Sequence, residues 1–238
     1  MTFSFIKFYI NTISTLFSIR EKYEEAVRIY ESMIWRYGEH EWSSIENSLL
    51  IKCADSQRRL GKADKYVESL LALLKNSKYL KDQEATHYTD EMIVNVAKLD
   101  SEIKRPFQPI FSISVISIID DGSSVESTSV EVCLDNHLPK KIHYDSISLR
   151  LVGSDPEQIW FTISDQDLEP GKNTFLLTSD TSTSGNYVVE ACEMKIGKLV
   201  FSHNFLRPGQ KKRVVRLNHD MNQLYAALSQ PHESKFHI

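Results

Sequence analysis

The chain has 238 residues, 41% of them hydrophobic and 25% charged, with a formal net charge of −4. That is ordinary for a globular protein and long enough for one large or two modest cores. The charge is unevenly placed. Residues 1–105 carry 16 basic and 16 acidic side chains, residues 106–206 carry 6 and 14, and residues 207–238 carry 6 and 2. So acidic a central stretch is repelled by nucleic-acid phosphates and anionic lipid, which argues against both as its ligand.

Residues Met1–Ser18 are apolar, but Lys7 interrupts the run, no basic region precedes it, and no small-x-small cleavage site follows. These are not the marks of a signal peptide, and the stretch is shorter and more polar than a membrane-spanning helix needs. It reads as a helix packing on its successor, or as the product of a wrong gene start. From Glu21 to Tyr37, the residues Tyr23, Ala26, Val27, Tyr30, Ile34 and Tyr37 fall on one face of a helix that Gly38 ends. Trp42 to Leu60 repeats the pattern through Ile45, Leu49 and Cys53, with Gly61 as its stop. Ala63, Tyr66, Val67, Leu70, Leu71 and Leu74 give a third helix. A fourth runs from Asp82, placed as its N-cap, to about Leu99.

Connections this short make consecutive helices antiparallel. The segments 22–34 and 63–74 recur about 40 residues apart with similar aromatic, small and apolar spacing. They predict helical hairpins of the tetratricopeptide (TPR) type over residues 1–105, cut from a longer solenoid. At Arg105-Pro106 the period changes from helical to alternating. Strands are predicted at about 110–119, 126–135, 142–152, 158–164, 172–179, 185–193 and 197–204. Turn signals at Asp121-Gly122, Asn136 to Pro139, Gly153 to Pro156 and Pro170-Gly171 separate them. Seven short strands at this spacing predict an immunoglobulin-like antiparallel β-sandwich over residues 106–206. Residues 207–238 read as a linker or crossing strand, RPGQKKRVVR, followed by the start of a further β domain at NQLYAALSQP.

Chemistry is sparse. There is no nucleophile elbow, phosphate-binding glycine loop, HExxH motif or EF-hand pattern, so neither an enzyme nor a cofactor is expected. Cys53, Cys133 and Cys192 lack metal-ligand spacing. Strand parity places Cys133 opposite to Val130, Val132 and Leu134, and Cys192 opposite to Tyr187 and Val189, so both thiols are expected to face away from the core. The chain has no Asn-x-Ser/Thr sequon, which together with unpaired thiols suits a reducing, cytosolic compartment. Asp165, Asp167 and Glu169 lack calcium-loop spacing and read as a solvated loop before Pro170-Gly171. His137 and His143 read as partly exposed structural histidines. Pro170, Gly171, Gly185 and Tyr187 read as fold-determining turn residues. Trp35 and Trp42 bracket a helical corner and are expected to be buried there. Trp160 stands beside Phe161 on one strand, so one ring points outward. Trp160, with Lys211, Lys212 and Arg213, forms the set of interface candidates.

Two passages carry a more specific likeness. REKYEEAVRIYESMIWRYGEHEW followed by LLIKCADSQRRLGKADKYVESLLALL resembles the late helical region of the subunit 10 family of the transport protein particle (TRAPP) complex. LEPGKNTFLLTSDTSTSGNYVVEACEMKIGKLVFSH resembles the β-sandwich that follows it in that family. The resemblance covers about residues 20–230 and implies a partial chain of a large, non-catalytic, TRAPP II-specific subunit. It implies other TRAPP subunits as partners, a Rab-type GTPase reached indirectly through the complex, and only peripheral membrane contact. The implied location is cytoplasmic, at the Golgi. A generic adaptor of helical repeats and sandwich, binding cargo or coat proteins, is the alternative. A carbohydrate-active or hydrolytic sandwich enzyme lacks the paired carboxylates it needs.

Overall fold

The computed structural model describes Thr12 and residues 21–38, 43–120, 128–153, 158–179, 185–206 and 214–217. Among the described residues after Thr12, four α-helices come before the strands: α1 (Tyr23–Gly38), α2 (Ser43–Arg59), α3 (Ala63–Lys75) and α4 (Asp82–Val96). Each packs on the next, because the links between them are too short to allow anything else. Gly61 ends α2 in a left-handed conformation (φ +69°), and the Lys62 amide donates back to Gln57 O at 3.1 Å. Asp82 is the first residue of α4 rather than its cap. Lys81 holds that place, and its amide donates to Glu84 Oε2 at 3.0 Å.

The strands are β1 (Ile103–Pro106), β2 (Phe111–Asp120), β3 (Thr128–Asn136), β4 (Ile142–Val152), β5 (Gln158–Leu168), β6 (Gly171–Thr178), β7 (Gly185–Ile196), β8 (Leu199–Asn204) and β9 (Val214–Leu217). They form one curled, mixed sheet in the order β1-β8-β7-β4-β5-β6-β3-β2, with β9 pairing β7 beside β8. The path passes from β5 to β6 through a single bridge, Thr162 to Thr178, so the sheet turns sharply there and closes over its own core like half a barrel.

This overturns the expected fold class on both counts. The sheet is not an immunoglobulin-like antiparallel sandwich, since its strands form one continuous hydrogen-bonded path and β1 runs parallel to β8. Alternation in a sequence fixes which face each side chain takes and leaves the pairing order open. Nor are the helices a TPR-like solenoid fragment. A solenoid hairpin buries its free face on the next repeat. Here Tyr66, Val67, Leu70, Leu71 and Leu74 of α3 and Met92 and Val96 of α4 join one core with Ile103, Phe107, Phe111, Met194 and Phe201 of the sheet side. The position a further repeat would fill is taken by the sheet. A smaller cluster, Ala26, Tyr30, Ile45, Leu49 and Cys53, holds α1 to α2.

The joint between helices and sheet is the β7–β8 hairpin tip. Gly197 sits so close to α4 that a Cβ would lie 2.9 Å from Val96 Cγ1. Its amide donates to Asp145 Oδ2 at 2.6 Å, and Lys198 Nζ donates to Leu99 O at 2.6 Å and Asp100 O at 3.3 Å. The Ile103 amide closes the joint by donating to Lys198 O at 2.8 Å.

Two strands change the face they bury partway along. β4 buries Ile142 and Tyr144 and then Ile147, Leu149 and Leu151, opposite a left-handed Asp165 (φ +58°) in β5. β7 buries Tyr187 and Val189 and then Cys192, Met194 and Ile196. A register shift there pairs Arg150 with Ala191 and Leu151 with Val189, leaving Glu190 as the extra residue of a bulge. Cys192 is therefore fully buried, contrary to the parity expectation, whereas Cys133 is partly exposed on the outer face of β3. All three cysteines are free thiols.

Candidate interaction surface

Where the helices meet the sheet, a groove of ≈ 340 Å³ opens between α3 and the β1–β2 connection. The spacing of α3 puts Glu68, Ala72 and Lys75 along one wall, and Arg105, Pro106, Gln108 and Pro109 form the other. Leu71, Ile110 and Phe201 make the floor. Beneath it, Phe111 and Phe201 meet edge to face with centroids 4.8 Å apart. Glu68 bridges the walls: its Oε1 accepts from Arg105 at 2.7 Å and its Oε2 from Lys65 at 3.0 Å. Partial burial works to raise this carboxyl, but the bonds from Lys65 and Arg105 outweigh it and hold it below the usual carboxylate range.

A second feature lies on the outer face of the sheet. Phe161 points into the core and Trp160 points out, 41% exposed. Arg150, its cross-strand partner, places its guanidinium 5.4 Å from the indole centroid while its Nε lies 2.8 Å from Glu190 Oε2. The bulge that buries Cys192 is what brings Glu190 within reach of Arg150. Neither partner was among the sequence candidates, because cross-strand neighbours depend on a register that one sequence does not show.

Asp165 and Asp167 lie in β5 rather than in a loop, and they flank His143 of β4. His143 Nδ1 is 3.1 Å from Asp167 and Nε2 is 3.1 Å from Asp165. The hydrogen bond to Asp167 and the charge of Asp165 raise the imidazole above its ordinary value. Lys141 Nζ donates to the other Asp167 oxygen at 2.9 Å and lies 3.9 Å from Glu169. His137 is half exposed, and its amide donates to Ile110 O. No group of His, Cys, Asp or Glu among the described residues is arranged to hold a metal ion.

The turn residues each have a position. Pro170 and Gly171 (φ +86°) link β5 to β6, and Asn173 staples that turn by accepting from the Glu169 amide at 3.0 Å and donating to Glu169 O at 2.7 Å. Tyr187 is buried with its ring against Gly153 and Gly185, where added Cβ atoms would lie 3.0 Å and 3.3 Å from it. Trp35 is 70% exposed on α1, not buried at a helical corner. Trp42, Lys211, Lys212, Arg213, the Met1–Ser18 expectation (apart from the placement of Thr12 in a helical turn) and the NQLYAALSQP segment lie outside the described residues. No helix among the described residues is long and apolar enough to cross a membrane.

The described residues thus define an α+β unit, a short helical array sharing one core with a curled mixed sheet. A family model described as "Domain of unknown function (DUF7076)" matches residues 92–207, the end of α4 and most of that sheet. The chain is 25% identical over 189 residues to trafficking protein particle complex subunit 10 of Dictyostelium discoideum, which covers 79% of this chain and 13% of that protein. It is 27% identical over 202 residues to the TRAPP complex II-specific subunit 130 homolog of Arabidopsis thaliana, covering 79% of this chain and 16% of that protein. The corresponding rice protein, from Oryza sativa subsp. japonica, is 27% identical over 208 residues, covering 83% and 16%. The chain is a partial-chain relative of the TRAPP subunit 10 and subunit 130 proteins, as the two sequence passages implied. It spans 13% to 16% of the length of these curated relatives.

Solved structures give only distant likenesses. A putative late embryogenesis abundant protein has a TM-score of 0.30 at 14% identity, covering 58% of this chain and 83% of that one. A β-glucosidase from Streptomyces venezuelae has 0.28 at 11% identity, covering 45% and 15%. Scores this low carry no argument about fold or chemistry.

Proposed function

We propose that this chain is part of a non-catalytic scaffold subunit of a TRAPP II-type tethering complex that acts in vesicle traffic at the Golgi. The observation that carries the reading is the match over about four fifths of the chain to proteins named as TRAPP subunits in an amoeba and two plants. The groove beside Glu68 and Arg105 and the Trp160–Arg150–Glu190 contacts on the sheet's outer face are surfaces that suit a holding role. In this reading the chain binds other subunits of the complex. Guanine nucleotide exchange on a Rab-type GTPase belongs to the assembly, and contact with the membrane is made through it.

Affinity purification of the tagged full chain from cells under mild conditions tests the proposal. Recovery of the small core TRAPP subunits is the expected result, with loss of late-Golgi cargo transport when the protein is depleted. Consistent absence of those subunits would overturn it.

A further inference from the structure

The groove at the helix–sheet joint has a chemistry that the subunit assignment does not use. Its floor is apolar, with Leu71, Ile110 and Phe201 at the base and Ala72, Pro106 and Pro109 at the sides. Its volume is at the lower end for clefts that take a ligand, enough for one or two large side chains. Its charged lining is Lys75, Arg105 and one carboxylate, Glu68, which is already bonded to Arg105 and to Lys65, a residue outside the lining. The rim keeps a positive surplus, although residues 106–206 as a whole carry 14 acidic side chains against 6 basic ones. A basic rim over an apolar floor, at the border of an acidic sheet, selects its occupant by charge and anchors it by burial.

We propose that this groove docks an acidic segment of a partner protein that inserts an apolar anchor between α3 and the β1–β2 connection. The anchor covers Leu71, Ile110 and Phe201, and flanking carboxylates reach Lys75 and Arg105. The proposal does not depend on which complex the chain joins, so failed co-purification of TRAPP subunits leaves it standing.

The test is fluorescence anisotropy on the full chain with three synthetic peptides sharing a central Leu-Phe pair and differing only in flanks of Glu, Gln or Lys. The Glu-flanked peptide is expected to bind about tenfold more tightly than the Gln-flanked one, and added salt to erase most of that difference. Ala72→Trp, which fills the groove, should abolish binding. Lys75→Glu should weaken the Glu-flanked peptide and strengthen the Lys-flanked one, a reversal that misfolding cannot imitate. No binding up to about 1 mM, which corresponds to only about −4 kcal/mol, equal binding of all three, or binding unaffected by Ala72→Trp would overturn the proposal. So would self-association, or binding to phosphatidylserine vesicles, that Ala72→Trp abolishes, since the occupant would then be a second copy or a membrane. Displacement of the Glu-flanked peptide by a synthetic copy of residues 1–20 or 207–238 would assign the groove to this chain's own ends instead.

Discussion

Two glycines with similar backbones separate conformational strain from contact. Gly61 (φ +69°) has open space where a Cβ would go, whereas at Gly197 (φ +56°) that atom would lie 2.9 Å from Val96 Cγ1. Gly61→Ala should therefore cost only the left-handed penalty, about 1 kcal/mol. Gly197→Ala adds a clash at the helix–sheet joint and should cost at least about 1 kcal/mol more. Urea denaturation of the two variants measures the difference; equal losses would mean that the hairpin tip does not press on α4. His143 gives a pH-dependent case. Its hydrogen bond to Asp167 and the Asp165 charge raise its folded pKa above 6.5. A raised pKa makes the contribution of this pairing full below the ordinary imidazole value and lost as the pH rises through the folded one. The group is exposed, so the effect on stability is small. NMR titration should find His143 above 6.5 and Asp167→Asn should bring it down; an unchanged value in the variant would remove Asp167 as the cause.

The elements show what a strand pattern reveals and what it hides. Among the described residues, seven of the nine strands and the four helices α1–α4 are legible from periodicity within a few residues. β1 is short and ends at Pro106, and periodicity does not show it; β9 starts in the RPGQKKRVVR run, which reads as a linker or crossing strand. The reversal at Cys192 shows in the burial pattern of β7. The buried residues of β7 step by three between Val189 and Cys192 and by two elsewhere, which is the mark of a bulge. Straight parity ignored that step. The groove, in contrast, was not legible at all. It is made by Glu68 and Arg105, 37 positions apart, and depends on β1 pairing parallel to β8. The bulge also sets thiol chemistry. Burial raises the Cys192 thiol well above its ordinary value and pushes Cys53 up to about 12, while Cys133 keeps a partly exposed side chain. Ellman's reagent at neutral pH should modify one thiol per native chain, lost in Cys133→Ser, and three after denaturation. Fast labelling of native Cys192 would show that the face of β7 beyond Glu190 is turned outward.

At the scale of the whole molecule, the decisive feature is the shared core. α3 and α4 bury the same faces that a solenoid would reserve for another repeat, and they bury them on Phe107, Phe111, Met194 and Phe201. Three groups of polar contacts cross the same seam: Arg105 with Glu68, Lys198 with the Leu99 and Asp100 carbonyls, and Lys140 with Asp90. Helices tethered only by a linker would unfold independently of the sheet, whereas helices that complete its core cannot leave without exposing it. Met92, fully buried on α4, belongs to that common cluster. Met92→Ala should therefore destabilise both parts together, by about 2–5 kcal/mol. In a Trp35→Phe, Trp42→Phe background, Trp160 fluorescence follows the sheet while far-ultraviolet circular dichroism follows chiefly the helices. The two signals should share one urea midpoint before the Met92 change and move together after it. Separate midpoints, with only the helical one shifted, would show two independent folding units, and the groove between them would then be a joint that opens rather than a fixed surface.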